Sequence, residues 1–273
     1  MSARDSRSGG LLQALALLAR PASFEALEPT HRGVPYAGGG RRGIPPLCDV
    51  YLPTGSRPYP SVIVVHGGGF VIGHRRMKPV RLVATRLCEA GFAVCAIDYR
   101  LLFRGGGLAV QVEDVTAAAT FWRSEQARFG CDPSRVSMLG FSAGAALMLL
   151  HAARSEPYHR LVNVYGAVDL HRVSGRRAEL LLGALTGTRD RRAWEAMSPS
   201  AHAHTPSPLL TIHGTRDALV PVAHATRLHE ARRARGLPSE LELVEGMPHG
   251  WLNDASLPET ERAVQRVIAF LRG

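Results

Sequence analysis

Residues 136–144, Val136-Ser137-Met138-Leu139-Gly140-Phe141-Ser142-Ala143-Gly144, read as a short apolar strand, a sharp turn and the opening of a helix. Glycines on both sides of Ser142 let the backbone turn tightly and approach its neighbours, so the serine sits on a strained bend with its hydroxyl exposed. The helix that starts at Ala143 points its N-terminus at this hydroxyl and favours negative charge developing beside it. A GxSxG pentapeptide is common by chance in glycine-rich chains. Its place between a strand and a helix makes it a signal for a serine nucleophile.

Working outward, short β-rich runs alternate with helical stretches from about residue 47. The strands are expected at 47–52, 61–65, 93–98, 136–139, 161–165, 209–213 and 240–244. Several are continuous Val/Ile/Leu runs, the pattern of strands buried on both faces. Helices are expected at 80–90, 112–129, 143–154, 223–235 and 259–271. In the last of these, Ala263, Val264, Val267, Ile268 and Leu271 form one apolar stripe. The fold class is therefore α/β, a doubly wound, mostly parallel sheet with helices on both faces.

Two segments break the alternation. Residues 1–46 carry one expected helix over 11–19 and then a loose Gly- and Pro-rich stretch over 32–46. Residues 170–207 make an excursion with a helical patch at 180–185. Both are expected to form a small lid over the carboxyl edge of the sheet, where open α/β folds bind ligands. The domain division is then 1–46 as N-terminal helix and lid segment, and 47–273 as the catalytic domain.

A serine hydroxyl needs a base near neutral pH, and the base needs an orienting carboxylate. Downstream, Leu209-Leu210-Thr211-Ile212-His213-Gly214-Thr215-Arg216-Asp217 reads as a strand, a glycine turn and an aspartate. The next strand is followed by Glu245-Gly246-Met247-Pro248-His249-Gly250-Trp251. Asp217 and His249 thus follow consecutive strands and can converge on Ser142 from one sheet edge. Asp169, at the exit of the preceding strand, is the rival acid. After the strand at 61–65 comes His66-Gly67-Gly68-Gly69-Phe70, a bare backbone suited to holding an oxyanion. The expected donors are the amides of Gly68, Gly69 and Ala143. His66 is read as a brace for this loop, and Phe70, Tyr99 and Trp251 as candidate pocket residues. The glycine spacing over 67–73 does not fit a dinucleotide fingerprint.

Composition excludes other classes. Of 273 residues, 45% are hydrophobic and 21% charged, which is ordinary globular chemistry rather than disorder or a fibre. The net charge of +10 comes from arginines scattered without a long run or a recognition motif, so nucleic-acid binding is not expected. The dense stretch Arg232, Arg233 and Arg235 is read as a surface helix end matching the helix dipole. Cys48, Cys88, Cys95 and Cys131 show no metal-type spacing, and neither do His202 and His204, which lack a third ligand; no metal is expected. Buried thiols suit a reducing cytoplasm. No apolar run reaches the roughly 20 residues of a membrane span.

HGGGF, GFSAG, HGTRDALVP and PHG, in this order, resemble the α/β-hydrolase fold, and within it the HGGG-type esterases of the hormone-sensitive-lipase and acetyl-esterase group. The likeness extends to Asp98-Tyr99-Arg100-Leu101 and Glu113-Asp114-Val115, and covers roughly residues 47–272. It implies a cofactor-free serine hydrolase with Ser142 as nucleophile, His249 as base, Asp217 as its partner and Gly68, Gly69 and Ala143 as oxyanion hole. The family's usual Ala-Pro-Glu after the DYRL-like stretch is here Leu102-Phe103-Arg104-Gly105-Gly106-Gly107. The short N-terminal cap is closer to the acetyl-esterase or kynurenine-formamidase-like branch. The expected substrate is a small-molecule carboxylic ester of short to medium acyl chain. An aryl formamide, acyl transfer to an alcohol, and a non-catalytic ligand-binding module on the same scaffold are the alternatives. Pairing of two copies as a homodimer is left open.

Overall fold

A computed structural model describes residues 24–37, 46–173, 175–202 and 204–273. The helix expected over 11–19 and much of the 32–46 stretch lie outside these residues. Within the described part of that stretch, His31–Pro35 forms β1, a strand its composition conceals. It pairs antiparallel with β2 (Leu47–Tyr51), Pro35 opposite Leu47, at the sheet edge where a proline is tolerated.

The remaining elements are β3 (Tyr59–Val65), α1 (Lys78–Glu89), β4 (Ala93–Ile97), α2 (Leu108–Glu125), β5 (Cys131–Phe141), α3 (Ala143–Ala152) and β6 (Leu161–Val164). After them come α4 (Arg176–Thr186), α5 (Arg191–Ala196), β7 (Leu209–Gly214), α6 (Ala223–Arg233), β8 (Ser239–Val244) and α7 (Pro258–Arg272). The eight strands lie in the order β1-β2-β4-β3-β5-β6-β7-β8. From β4 to β8 every pairing is parallel; β2 joins β4 antiparallel. The sheet is thus mostly parallel and covered by helices on both faces, as an α/β-hydrolase fold requires.

Two apolar layers follow from the period-2 alternation of the strands. Ile63, Val65, Cys95, Ile97 and Met138 pack with α2 and α3 on one face. Val62, Val64, Val94, Leu139 and Phe141 pack with α1 and α7 on the other. The expected stripe on α7 is buried throughout, and the helix carries Glu259 and Glu261 in its first turn and Arg272 in its last, matching its dipole. The 170–207 excursion contains α4 and α5 with short helical turns at Leu170–Arg172 and Pro199–His202. No helix among the described residues is long and apolar enough to cross a membrane.

One charge departs from the sequence reading. Arg232 is fully buried rather than at a solvated helix end. Its guanidinium donates to the Thr205, Ser207 and Pro238 carbonyls, stapling the end of the excursion to the start of β8. Burial lowers it to about 10.

The crossing of α3 over the sheet is the tightest point of the architecture. A Cβ on Gly144 would sit 2.2 Å from the His66 carbonyl oxygen and 2.4 Å from that of Val65; one on Gly140 would meet Ala145 at 2.5 Å. Gly144→Ala is therefore expected to destabilise the fold by about 3 kcal/mol, the upper end for overpacking. A urea unfolding midpoint equal to wild type would show that the helix can lift from the sheet at no cost.

Candidate active site

The site is assembled from four loops at the carboxyl ends of β3, β5, β7 and β8. Ser142 occupies φ 50°, ψ −116°, left-handed backbone that an L-residue adopts only under constraint. Its amide donates to the Val164 carbonyl at 2.9 Å, and its own carbonyl accepts from Ala145 at 3.1 Å. The last strand residue and the first helical turn thereby grip it from both sides. Ser142 remains partly accessible, while the side chains on either side are buried.

The loops after β7 and β8 are laced together, which explains how Asp217 and His249 meet across 32 residues. The Thr215 amide donates to the Val244 carbonyl at 3.0 Å, Arg216 to Met247 at 3.1 Å, and the Gly246 amide to Thr215 Oγ1 at 2.9 Å. A side chain on Gly214 would strike the Met247 carbonyl at 2.2 Å, so only glycine allows this approach.

Across these loops Ser142 Oγ lies 3.0 Å from His249 Nε2, and His249 Nδ1 lies 2.6 Å from Asp217 Oδ2. The other carboxylate oxygen, Oδ1, accepts from the Leu219 amide at 3.0 Å and the Val220 amide at 2.7 Å. Burial alone would raise the Asp217 carboxyl. The hydrogen bonds from His213 and His249 outweigh it and hold the group down at about 2. Asp169, the rival acid, is engaged elsewhere: its Oδ2 accepts from Arg227 Nε at 2.9 Å. Its amide donates to His224 Nδ1 at 3.1 Å.

The glycine loop after β3 abuts the serine. A Cβ on Gly67 would be 3.1 Å from the Phe141 carbonyl oxygen and 3.3 Å from Ser142 Cβ. Val71 and Ile72 amides both donate to the Gly68 carbonyl, and Gly68 adopts φ 120° with no room for a side chain beside Ile72. The amides of Gly68, Gly69 and Ala143 donate to no group among the described residues. His66 is held as a brace: its ring stacks on Tyr99 at 4.2 Å, and its Nδ1 lies 2.6 Å from the Gly67 carbonyl. Burial pushes it down to about 4, so the imidazole is neutral. Further along the loop, Arg75 and Arg76 pair with the buried Asp49, and Arg75 also with Asp98, fixing the loop to β2 and β4.

The segment that replaces Ala-Pro-Glu forms a short helical turn at Leu102–Arg104. The Leu102 amide and Gln111 Nε2 both donate to the Phe70 carbonyl, at 2.9 and 3.0 Å. Arg100 grips Asp114 through its amide at 2.8 Å and its guanidinium at 2.6 Å. The three candidate pocket aromatics are largely committed to packing. Trp251 is 0% exposed and lies edge-on to Tyr165. Tyr99 donates to the His66 carbonyl at 3.2 Å. Phe70 is buried at φ 69° in the loop itself. Tyr165, which the sequence reading passed over, lies edge to face with His249, the ring centroids 4.9 Å apart.

His213 and Gln111 were also passed over. Nothing in the sequence around either residue marks it out; only the fold puts one beside Asp217 and the other under Phe70. A cavity of about 1120 Å3 runs between α2, the end of α3 and α4, and none of Ser142, Asp217 or His249 lines it. Among the described residues no group of three or more His, Cys, Asp or Glu side chains is placed to hold a metal.

Comparison with known proteins gives the family and the fold. The BD-FAE family model matches residues 48–231. Isoprenylcysteine alpha-carbonyl methylesterase ICME of Arabidopsis thaliana is 28% identical over 231 residues, covering 74% of this chain and 53% of its own length. Esterase LipC of Mycobacterium tuberculosis is 29% identical over 248 residues, covering 80% and 60%. The chain thus spans about half to three fifths of these relatives. A truncated carbohydrate esterase from gut microbiota superposes with a TM-score of 0.77 at 22% identity, covering 92% of this chain and 98% of the other. Esterase B from Lactobacillus rhamnosis, solved with a tributyrin phosphonate inhibitor, gives 0.79 at 19%, covering 99% and 93%. At such identities these structures speak for the shared α/β-hydrolase fold.

The depressed Asp217 carboxyl predicts an acid-labile contribution to stability. Because its folded value lies below the unfolded 3.8, the contribution is present above that value and fades as pH falls through about 2. Between pH 5 and pH 2 the wild type should lose about 2 kcal/mol more than Asp217→Asn. Parallel stability curves for the two proteins would show the carboxylate is not held this way.

Proposed function

The chain belongs to the BD-FAE family, and from that premise we propose that it is a carboxylic-ester hydrolase working through Ser142, His249 and Asp217. The observation that carries the proposal is the unbroken line of two hydrogen bonds, Oγ to Nε2 at 3.0 Å and Nδ1 to Oδ2 at 2.6 Å. An imidazole whose Nδ1–H is held by a buried carboxylate presents a bare Nε2 to the serine, the tautomer a general base needs. Ser142 Oγ attacks the ester carbonyl as His249 takes its proton. The amides of Gly68, Gly69 and Ala143 receive the oxyanion. His249 returns the proton to the departing alcohol, and water, activated by the same imidazole, cleaves the acyl-enzyme. Asp217 stays ionised throughout and stabilises the imidazolium. Donors of the oxyanion kind are typically worth about 3–4 kcal/mol each in the transition state.

The names of the relatives, a methylesterase and an esterase, favour an ester over a formamide as substrate. The small excursion over residues 170–207 favours short to medium acyl chains over long ones. The four cysteines are free and buried, which supports a reducing cytoplasm as the compartment.

The test is hydrolysis of p-nitrophenyl esters from acetate to dodecanoate by wild type and Ser142→Ala. The wild type is expected to turn over the short members fastest. Ser142→Ala is expected to lose at least about 10³-fold in kcat, the usual scale for a triad member. Equal turnover by the two proteins would remove Ser142 from the mechanism, and turnover of an aryl formamide alone would move the substrate class.

A further inference from the structure

We propose that His213 is a positioning residue of this site, an inner imidazole that shares the Asp217 carboxylate with His249 and fixes the orientation in which the base meets it. The inference rests on the reading of the triad given above. His213 Nε2 lies 3.3 Å from Asp217 Oδ2, the same oxygen that His249 Nδ1 approaches at 2.6 Å. It also lies 2.8 Å from the Val220 carbonyl. Both neighbours are acceptors, so Nε2 carries the proton, donates it to the Val220 carbonyl and holds it beside the carboxylate oxygen. Nδ1 has no hydrogen-bond partner among the described residues.

The side chains of His213 and Asp217 are both 0% exposed, and His213 therefore touches no substrate; it acts through the carboxylate. Its place is set by the last residues of β7, where it stands opposite Leu243 of β8, four residues before Asp217. With the Leu219 and Val220 amides on Oδ1, the inner imidazole closes the remaining side of the carboxylate, so Asp217 cannot swing away from His249.

The shared proton has a second consequence. It draws density from Oδ2 and so weakens the pull of Asp217 on the His249 proton. Removing it frees the carboxylate to stabilise the imidazolium more, which moves the acidic limb of the activity profile to higher pH. Other titratable groups facing the cluster keep their partners in such a variant. Tyr165 meets His249 ring edge to face, and His224 lies behind His213 against Asp169, which Arg227 neutralises.

The experiment is the pH dependence of kcat and KM on p-nitrophenyl acetate for wild type, His213→Asn, His213→Leu and His213→Gln, with thermal unfolding of each. An Asn amide stays polar but falls short of the Nε2 position, whereas a Gln amide reaches it. His213→Asn is expected to lose about tenfold in kcat at unchanged KM, with its acidic limb at higher pH, and Gln to restore most of both. Leu gives the same result as Asn if it folds, and Asn against Gln carries the comparison if it does not. Wild-type kinetics in His213→Asn would overturn the proposal. So would equal losses in Asn and Gln that track their melting temperatures, because that is the signature of packing alone. His249→Ala separates the two readings: turnover retained there defeats the triad itself. Loss there beside a wild-type His213→Asn defeats only the role of His213.

Discussion

Everything at the carboxyl edge of this sheet depends on one backbone constraint, the left-handed conformation of Ser142. A non-glycine residue at φ 50° costs of order 1–3 kcal/mol and persists only where its surroundings over-determine it. Here they do. The serine amide is tied to β6, its carbonyl starts α3, and the glycines at 140 and 144 let the helix descend onto β3 and β5 at backbone contact. That descent also brings the His66–Phe70 loop against the serine, because the same glycine that admits Val65 and His66 carbonyls beneath α3 sets the position of the loop that follows them. Strain at one residue and close packing around it are two sides of one arrangement.

The electrostatics of the edge follow a similar economy. A buried carboxylate is costly unless every lone pair is met, and Asp217 is met by two amides and two imidazoles. Asp49, just as buried, is met by two arginines and an amide from Gly33. One satisfied carboxylate lies against His249; the other anchors the glycine loop that faces it. Asp169 shows the contrast. It lies on a neighbouring loop of the same edge, yet an arginine on α6 claims its oxygen, and a carboxylate so paired is not free to orient an imidazole.

Much of this was legible in the sequence, and the reason is local. Strand, turn and helix around Ser142 are written in nine consecutive residues, and Asp217 and His249 each follow a recognisable strand by a few positions. What escaped was whatever depends on partners distant in the chain. β1 contains glycine, proline and a histidine and is a strand only because β2 pairs with it. Arg232 looked like one of several solvated arginines, but the carbonyls of Thr205 and Ser207, some 25 residues back, and of Pro238 surround it. Trp251 follows His249 closely and is in sequence as much a core aromatic as a candidate pocket residue; its ring packs in the layer with Tyr165. His213 is one imidazole at the end of a buried strand, and no periodicity distinguishes a structural one from one aimed at a carboxylate four residues on.

The central claim is that Ser142 is made nucleophilic by His249, and covalent capture tests it most directly. Wild type and His249→Ala would each be treated with a fluorophosphonate and analysed by intact mass and peptide mapping. The expected result is one stoichiometric adduct on Ser142 in the wild type and labelling slowed by at least about 10²-fold in the variant, the lower range for loss of a general base. An adduct on a different residue, or equal labelling rates in the two proteins, would contradict it.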